Sequence, residues 1–257
     1  MNSIEKVFAG GKAFIPFITA GDPSIDITEQ LVYQMAGAGA DLIELGIPFS
    51  DPIAEGPVIQ AADNRALNGG FTADTLFSMM LRIRKSCQVP IACMTYVNPV
   101  FAYGAEKFMM NCREAGIDAM IVPDLPFEEK NELLPICKKY GITLISMIAP
   151  TSGERIRKIA SEAEGFIYCV SSMGVTGVRQ NLGSNVEQMV RTVKEVKNIP
   201  CAIGFGISTP EQAANMSAFA DGVIVGSAIV KIVEQYGSGC IPHVTEYVRK
   251  MKRAITR

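Results

Sequence analysis

Short apolar runs rich in β-branched residues recur eight times along the chain, with stretches of helical periodicity between them. The runs are continuously apolar rather than alternating, which is typical of parallel strands that are covered on both faces. Eight strand–helix units in succession favour right-handed crossovers and predict an α/β fold, a (β/α)8 TIM barrel. The predicted strands are 14–19, 41–46, 91–96, 118–123, 142–148, 165–170, 200–205 and 221–226.

The length of the chain suits one such barrel, because barrels of this kind commonly contain about 250 residues. No low-complexity linker or step in composition divides the sequence, so residues 1–257 are predicted to form a single domain. Residues 1–12 and 228–255 are predicted to add helices at the N-terminus and after strand 8. An open, doubly wound sheet is the alternative, since periodicity alone does not prove closure.

Composition indicates which kinds of partner and which cellular compartment suit the chain. The formal net charge is −2, and no basic stripe offers a surface for nucleic acid or an anionic membrane. No stretch approaches the ~18 apolar residues that cross a bilayer, and the first residues lack the layout of a signal peptide. Seven scattered cysteines without a CxxC pair indicate reduced thiols. These features predict a cytoplasmic protein.

The chain contains one histidine, His243, in a segment typical of a surface helix. A zinc site or a Ser-His-Asp triad needs histidine beside its partners, so no metal site is predicted. The predicted carboxyl ends of the strands contain no lysine, which argues against a Schiff-base aldolase. Barrel enzymes place their active sites at these strand ends. The chemistry is therefore expected to use carboxylates, hydroxyls and backbone amides.

Glycine turns follow the last three predicted strands, at Gly174–Gly177, Gly204–Gly206 and Gly226–Ser227. Glycine lets a backbone approach a ligand closely, and a helix that begins at Ser227 presents free N–H groups to an anion. The alternative is that these glycines only make tight turns. Their place at three successive strand ends favours a phosphate site.

Glu44 lies inside the apolar run Leu42–Leu45, where burial raises the pKa of a carboxyl group. Such a group can act as acid or base near neutral pH, the alternative being an ion pair to a helix. Glu55, on the loop after the same strand, is either a second catalytic carboxylate or a solvated acid. Apolar side chains at other strand ends form either a substrate wall or ordinary core, namely Phe17, Met94, Tyr96 and Phe205.

Seven ordered segments of the chain resemble the sequence signature of the tryptophan synthase alpha subunit family. They fall mostly at the predicted strand ends and extend over nearly the whole chain. The segments are PFITAGDP (16–23), LIELGIPFSDPIAEGPVIQ (42–60), MTYVNPV (94–100), VPDLP (122–126), YCVSSMGVTG (168–177), GFGISTPEQ (204–212) and DGVIVGSAIVK (221–231).

This resemblance implies retro-aldol cleavage of indole-3-glycerol phosphate to indole and glyceraldehyde 3-phosphate. It implies that Glu44 is the acid and base, that Glu55 stabilises charge at the indole N–H, and that Tyr168 lies beside Glu44. Thr176 is expected in a loop that closes over the substrate. The implied phosphate site comprises Gly177, Gly206, Gly226 and Ser227, and the implied indole pocket comprises Phe17, Tyr96 and Phe205. Met94 is a further candidate for the substrate pocket.

One departure from the family pattern concerns Glu55, because the family usually has aspartate at this position. The extra methylene moves the carboxylate by roughly 1.5 Å, and misplacement on that scale can lower a rate ~100-fold. Since the charge and the hydrogen-bonding capacity remain, the loop is expected to compensate.

The resemblance also implies a partner, a beta subunit that carries pyridoxal phosphate and receives indole in an alpha2beta2 heterotetramer. No cofactor is expected in this chain. The candidate interface lies on loops at the same barrel end and consists of Pro48, Asp51, Asn98 and Pro99. Three alternatives stay open: a stand-alone indole-3-glycerol phosphate lyase, a phosphosugar isomerase or epimerase, and a barrel that only activates the beta subunit.

Overall fold

The computed structural model of the chain describes residues 3–170, 182–204 and 206–256. Nine parallel strands form one sheet within these ranges, in the order β5-β4-β3-β2-β1-β9-β8-β7-β6. The strands are β1 (Ala13–Thr19), β2 (Ile43–Gly46), β3 (Ile91–Met94), β4 (Ala119–Ile121), β5 (Thr143–Leu144), β6 (Ser146–Ile148), β7 (Ile167–Val170), β8 (Cys201–Gly204) and β9 (Gly222–Val225).

The predicted single strand 142–148 is divided into β5 and β6, which stand at the two ends of the sheet order. β5 pairs with β4 and β6 pairs with β7, because each half of the segment turns its hydrogen-bonding groups to a different neighbour. Ile145 joins the two halves and donates its N–H to the carbonyl of Met120 at 2.9 Å. One residue thus links the ends of the sheet, so the sheet closes into the predicted TIM barrel rather than an open, doubly wound sheet.

Helices surround the barrel and join successive strands, as the alternating pattern predicts. They are α1 (Ser3–Lys6), α2 (Ile25–Gly37), α3 (Pro57–Asn68), α4 (Ala73–Ile83), α5 (Val97–Tyr103), α6 (Ala105–Glu114), α7 (Leu134–Tyr140), α8 (Arg155–Glu162), α9 (Leu182–Val196), α10 (Pro210–Ser217), α11 (Ser227–Tyr236) and α12 (Ile241–Ile255). Short 3-10 turns lie at Phe127–Glu132, Pro150–Ser152 and Gly237–Gly239. In the described part of the chain, no helix combines the length and apolarity that a membrane span requires.

Local sequence signals set several helix starts. The side chain of Thr72 accepts a hydrogen bond from the backbone of Thr75 and caps α4, and Thr209 caps α10 in the same way. Pro210 occupies the first turn of α10, where its missing N–H leaves no intrahelical bond unmade. Both helices therefore begin at a threonine that satisfies a free backbone N–H group of the first turn.

Side chains of the strands alternate between the barrel interior and the surrounding helices. On β1, for example, Phe14 and Ile18 pack against the helices while Ile15 and Phe17 point into the barrel. The helix α1 closes the amino end, where the fully buried Ile4 joins the interior cluster beside Phe166. The interior cluster includes Ala13, Ile15, Phe17, Leu42, Ala92, Met94, Ala119, Ile121, Ile145, Phe166, Tyr168, Ala202 and Ile224.

All seven cysteines are free and buried, so they act as small apolar side chains. His243 lies on the surface of α12 and stacks on the ring of Tyr236, with 3.7 Å between the ring centroids. This position agrees with the predicted surface helix.

Candidate active site

Glu44 is the buried acid of the barrel interior. It lies on β2 beside Phe17 of β1, and its alternation with Ile43 and Leu45 turns its carboxyl group inward. Only 1% of the residue is exposed, and neither carboxyl oxygen has a hydrogen-bond partner among the described residues. Burial, together with the charge of Glu55, raises the pKa of Glu44 to about 8. The group therefore exchanges protons near neutral pH.

Tyr168 faces the same interior space from β7 and is almost fully buried. Burial, followed by the charge of Glu44, raises the pKa of the Tyr168 phenol well above its usual value of 10. The phenol therefore stays protonated near neutral pH and keeps a hydrogen to donate. Tyr168 thus lies close enough to Glu44 to respond to its charge.

Two glycines leave room for these interior rings. A Cβ atom at Gly204 would lie 2.5 Å from the hydroxyl oxygen of Tyr168, and one at Gly46 would lie 2.5 Å from Cζ of Phe17. Any larger residue at either position would force the ring to move. No local sequence pattern marks this packing role of Gly204, because the contact joins separate strands.

Glu55 lies on the loop between β2 and α3, and the structure brings it to Tyr96. The Tyr96 hydroxyl donates a hydrogen bond to Oε2 of Glu55 and accepts one from the backbone N–H of Ala54 at 3.0 Å. Burial raises the pKa of the Glu55 carboxyl, the Tyr96 hydrogen bond lowers it, and the charge of Asp124 raises it, with a net upward shift. Glu55 is therefore a held, half-buried carboxyl group and not a solvated loop acid.

Two further acids near Glu55 are not among the predicted site residues. Asp124, after β4, accepts the N–H of Val97 at 3.0 Å and so holds the start of α5. Asp63 on α3 is only 4% exposed and accepts the backbone N–H of Phe49. Burial, followed by the charge of Glu55, raises the pKa of Asp63 to about 8. A charged residue among the buried positions of a helix is the sequence signal for such an acid.

The predicted phosphate residues are only partly within the described ranges. Gly206 is exposed and has a φ of +76°, a backbone conformation that favours glycine. Gly226 caps α11, and Ser227 is its first residue, so free N–H groups of this ten-residue helix face the carboxyl end of the barrel. The predicted site residues Gly177, Thr176 and Phe205 lie outside the described residues.

Three residues of the predicted substrate pocket are buried at the carboxyl ends of the strands. Phe17 and Met94 belong to the interior cluster, and Tyr96 is 2% exposed. The predicted strand 91–96 ends at Met94, because Thr95 and Tyr96 lead into α5, with Tyr96 at its N-cap position. The ring of Tyr96 packs on Phe49, with centroids 5.3 Å apart.

The four residues of the candidate interface differ in exposure. Asp51 and Asn98 are exposed, Pro99 is half-buried and Pro48 is buried. Two apolar side chains on the same segments are also exposed, Ile53 at 80% and Phe101 at 46%. These apolar residues make this rim of the barrel a surface that a protein partner could cover.

The described part of the chain contains no cluster of three or more histidine, cysteine, aspartate or glutamate side chains placed to hold a metal ion.

Comparisons with known proteins identify close relatives. The family profile described as tryptophan synthase alpha chain matches residues 6–256. The tryptophan synthase alpha chain of Lacticaseibacillus casei is 48% identical over 252 residues, covering 97% of this chain and 95% of the relative. The crystal structure of tryptophan synthase subunit alpha from Legionella pneumophila str. Paris has a TM-score of 0.90 and 37% identity, covering 100% of this chain and 99% of that one. A chain in the tryptophan synthase complex from Pyrococcus furiosus has a TM-score of 0.84 and 32% identity, covering 95% and 98%.

Proposed function

The chain belongs to the family of tryptophan synthase alpha chains, lyases that cleave indole-3-glycerol phosphate, and on that premise we propose that Glu44 carries the proton transfers of the reaction. The proposal depends on the surroundings of the Glu44 carboxyl group. This group is buried in the interior of the barrel, has no hydrogen-bond partner among the residues described, and has a pKa of about 8.

Glu44 begins the reaction as a carboxylic acid. It gives its proton to the ring carbon that bears the side chain, and the indole nitrogen then carries the positive charge. The Glu44 carboxylate next takes the proton of the hydroxyl on the adjacent carbon, the C–C bond breaks, and its electrons return to the ring. The products are indole and glyceraldehyde 3-phosphate, and Glu44 ends protonated again. A pKa near the working pH suits a group that acts in both directions.

Glu55 is proposed to stabilise the positive charge on the indole nitrogen while it is ionised. Its hydrogen bond with the Tyr96 hydroxyl holds the carboxylate near the carboxyl ends of the strands and favours its charged form. This contact also supports the idea that the longer glutamate is accommodated where the family usually has aspartate. The loop backbone is held at the same place, because the N–H of Ala54 donates a hydrogen bond to the Tyr96 hydroxyl.

The substrate is proposed to lie with its indole ring against the apolar wall and its phosphate at the turns after the last strands. The positive end of α11 and its free N–H groups attract a phosphate dianion. Tyr168 is proposed to orient the substrate beside Glu44, and Thr176 to lie in the loop that closes over it. The proposed wall is Phe17, Met94, Tyr96 and Phe205, and the proposed phosphate site is Gly177, Gly206, Gly226 and Ser227.

The partner of this chain is proposed to be a tryptophan synthase beta subunit that carries pyridoxal phosphate, in an alpha2beta2 complex in the cytoplasm. The solved tryptophan synthase complex from Pyrococcus furiosus supports such a partner. Residues 1–257 are proposed to act as one barrel domain. The proposed contact surface is the rim with Asp51, Asn98 and Pro99 beside the buried Pro48, extended by the exposed Ile53 and Phe101.

An assay of indole release from indole-3-glycerol phosphate tests this function. The purified chain should release indole slowly alone and faster when purified beta subunit is added. The same rate with and without beta subunit would indicate a stand-alone lyase. No indole release under either condition would overturn the proposed function.

A further inference from the structure

Four buried side-chain oxygens lack a hydrogen-bond partner within the described ranges, and they lie on three adjacent strand ends. Two are the carboxyl oxygens of Glu44, and the others are the hydroxyls of Thr19 and Thr95. Buried hydroxyls in folded proteins are nearly always hydrogen-bonded. An unpartnered hydroxyl beside a proposed catalytic acid therefore needs an explanation.

The side chain of Thr19 faces the barrel interior. On β1, Phe17 points inward, while Ile18 and Ala20 pack toward the helices, so the alternation turns Thr19 inward as well. Thr95 follows the inward-facing Met94 on β3, and the same alternation turns it toward the helices. The two threonines thus share their burial but not their direction.

Thr19 and Glu44 border the same space. Thr19 pairs in register with Gly46, two residues beyond Glu44 on β2. Strand spacing and rise put the Cα atoms of Thr19 and Glu44 roughly 8 Å apart. The ring of Phe17 occupies the place where a side chain at position 46 would stand, so it forms an apolar surface between the two polar groups.

The backbone around Thr19 is fixed. Its carbonyl accepts the N–H of Asp22 at 3.3 Å, and the N–H of Ala20 bonds to the carbonyl of Gly46 at 2.8 Å. A β-branched side chain on such a strand has few rotamers, so its hydroxyl is well positioned. A hydroxyl both donates and accepts hydrogen bonds, which suits an alcohol group of a ligand.

We propose that the Thr19 hydroxyl binds a hydroxyl on the glycerol chain of the substrate and so positions that chain beside Glu44. This inference rests on the proposed function, because the glycerol chain joins the indole ring to the phosphate. The glycerol chain carries two hydroxyl groups, which are absent from an analogue that has a propyl chain in the same place. Thr19 is thus a specificity-determining residue for hydroxylated substrates.

The test compares T19V with T19S and T95V, each assayed for indole release with beta subunit present. T19V removes the hydroxyl but keeps the branched shape, and kcat/KM should fall about tenfold, as loss of one hydrogen bond in the bound state predicts. T19S keeps the hydroxyl and should stay within about threefold of the wild type. T95V, the matched control on the outward face, should leave kcat/KM unchanged.

Two further measurements separate ligand binding from a structural role. The melting temperature of T19V should equal or exceed that of the wild type, because valine needs no hydrogen-bond partner. Indole-3-propanol phosphate, which has no chain hydroxyls, should bind T19V and wild type equally well. Three results for T19V would each overturn the Thr19 inference. They are a kcat/KM equal to that of the wild type, a melting temperature well below that of the wild type, and an affinity for this analogue that falls as much as kcat/KM does. A wild-type chain that releases no indole would instead overturn the proposed function.

Discussion

The Tyr96 hydroxyl donates a hydrogen bond to the carboxylate of Glu55, 41 residues away in the chain. The same hydroxyl accepts the backbone N–H of Ala54, so one group at the end of β3 holds both the loop after β2 and its acidic side chain. The ring of Phe49 packs against Tyr96 and supports this arrangement. The position of Glu55 thus depends on a residue of the neighbouring strand.

Replacing Tyr96 with phenylalanine should make the reaction more sensitive to acid. The Tyr96 hydrogen bond lowers the pKa of Glu55, so its loss raises that pKa, and a smaller fraction of Glu55 is ionised at low pH. We expect kcat near pH 6 to fall roughly tenfold, with a smaller loss at pH 8. A pH profile of indole release measures this. The matched control is Y33F, since Tyr33 bonds Glu29 at 3.0 Å on α2, and an equal effect of both variants would contradict the assignment.

The stability of the chain should fall as the pH rises from about 5 to 8. The pKa of Glu44 is about 8 in the folded chain against an ordinary 4.5, so in this window the folded chain keeps a proton that the unfolded chain loses. The glutamine of E44Q cannot ionise, so the free energy of unfolding of E44Q, relative to that of the wild type, should rise by about 3 kcal/mol between pH 5 and pH 8. Urea unfolding at both pH values measures the difference. The control is E114Q, at an exposed residue of α6, which should show the same change of unfolding free energy with pH as the wild type. The prediction is contradicted if E44Q also shows the wild-type change.

Asp63 should be needed to hold the loop that carries Glu55. It accepts the N–H of Phe49 from a buried position on α3, so D63A leaves that N–H without its partner. We expect D63A to lower kcat/KM for indole release roughly tenfold and to destabilise the fold by about 1–3 kcal/mol. D63N keeps an acceptor oxygen and should recover most of both losses. If the asparagine and alanine variants behave alike, the hydrogen bond to Phe49 does not position the loop.

Replacing Gly204 with alanine should displace Tyr168. The added Cβ atom would lie 2.5 Å from the phenol oxygen, and the free energy of unfolding should fall by about 1–3 kcal/mol. The control is G37A, because Gly37 ends α2 with no heavy atom within 4 Å of the added Cβ, and alanine there should stabilise the chain by about 0.5–1 kcal/mol. Chemical denaturation of both variants checks the prediction, which fails if G204A is as stable as G37A.

The sequence was sufficient for the features that depend on local pattern. Continuous apolar runs located the strands, and an acid inside Leu42–Leu45 indicated the buried Glu44. Alternation along one strand decides which side chains face inward, so the orientation of Glu44 follows from its neighbours.

Features set by contacts between distant segments could not be predicted. The run 142–148 contains no glycine, proline or charged residue, so nothing in it marks Ile145 as the point where pairing passes from β4 to β7. The bond between Tyr96 and Glu55 and the bond between Asp63 and Phe49 join separate loops and helices. Only the closed barrel brings these groups together.

The most direct test of the account compares indole release by E44Q and the wild type from indole-3-glycerol phosphate, with beta subunit present. Loss of a general acid and base predicts a fall in kcat of roughly a thousandfold. Binding of indole-3-propanol phosphate should stay within a few-fold of the wild type, because the amide fills the same space. An E44Q variant that releases indole at the wild-type rate would show that the protons move through another group.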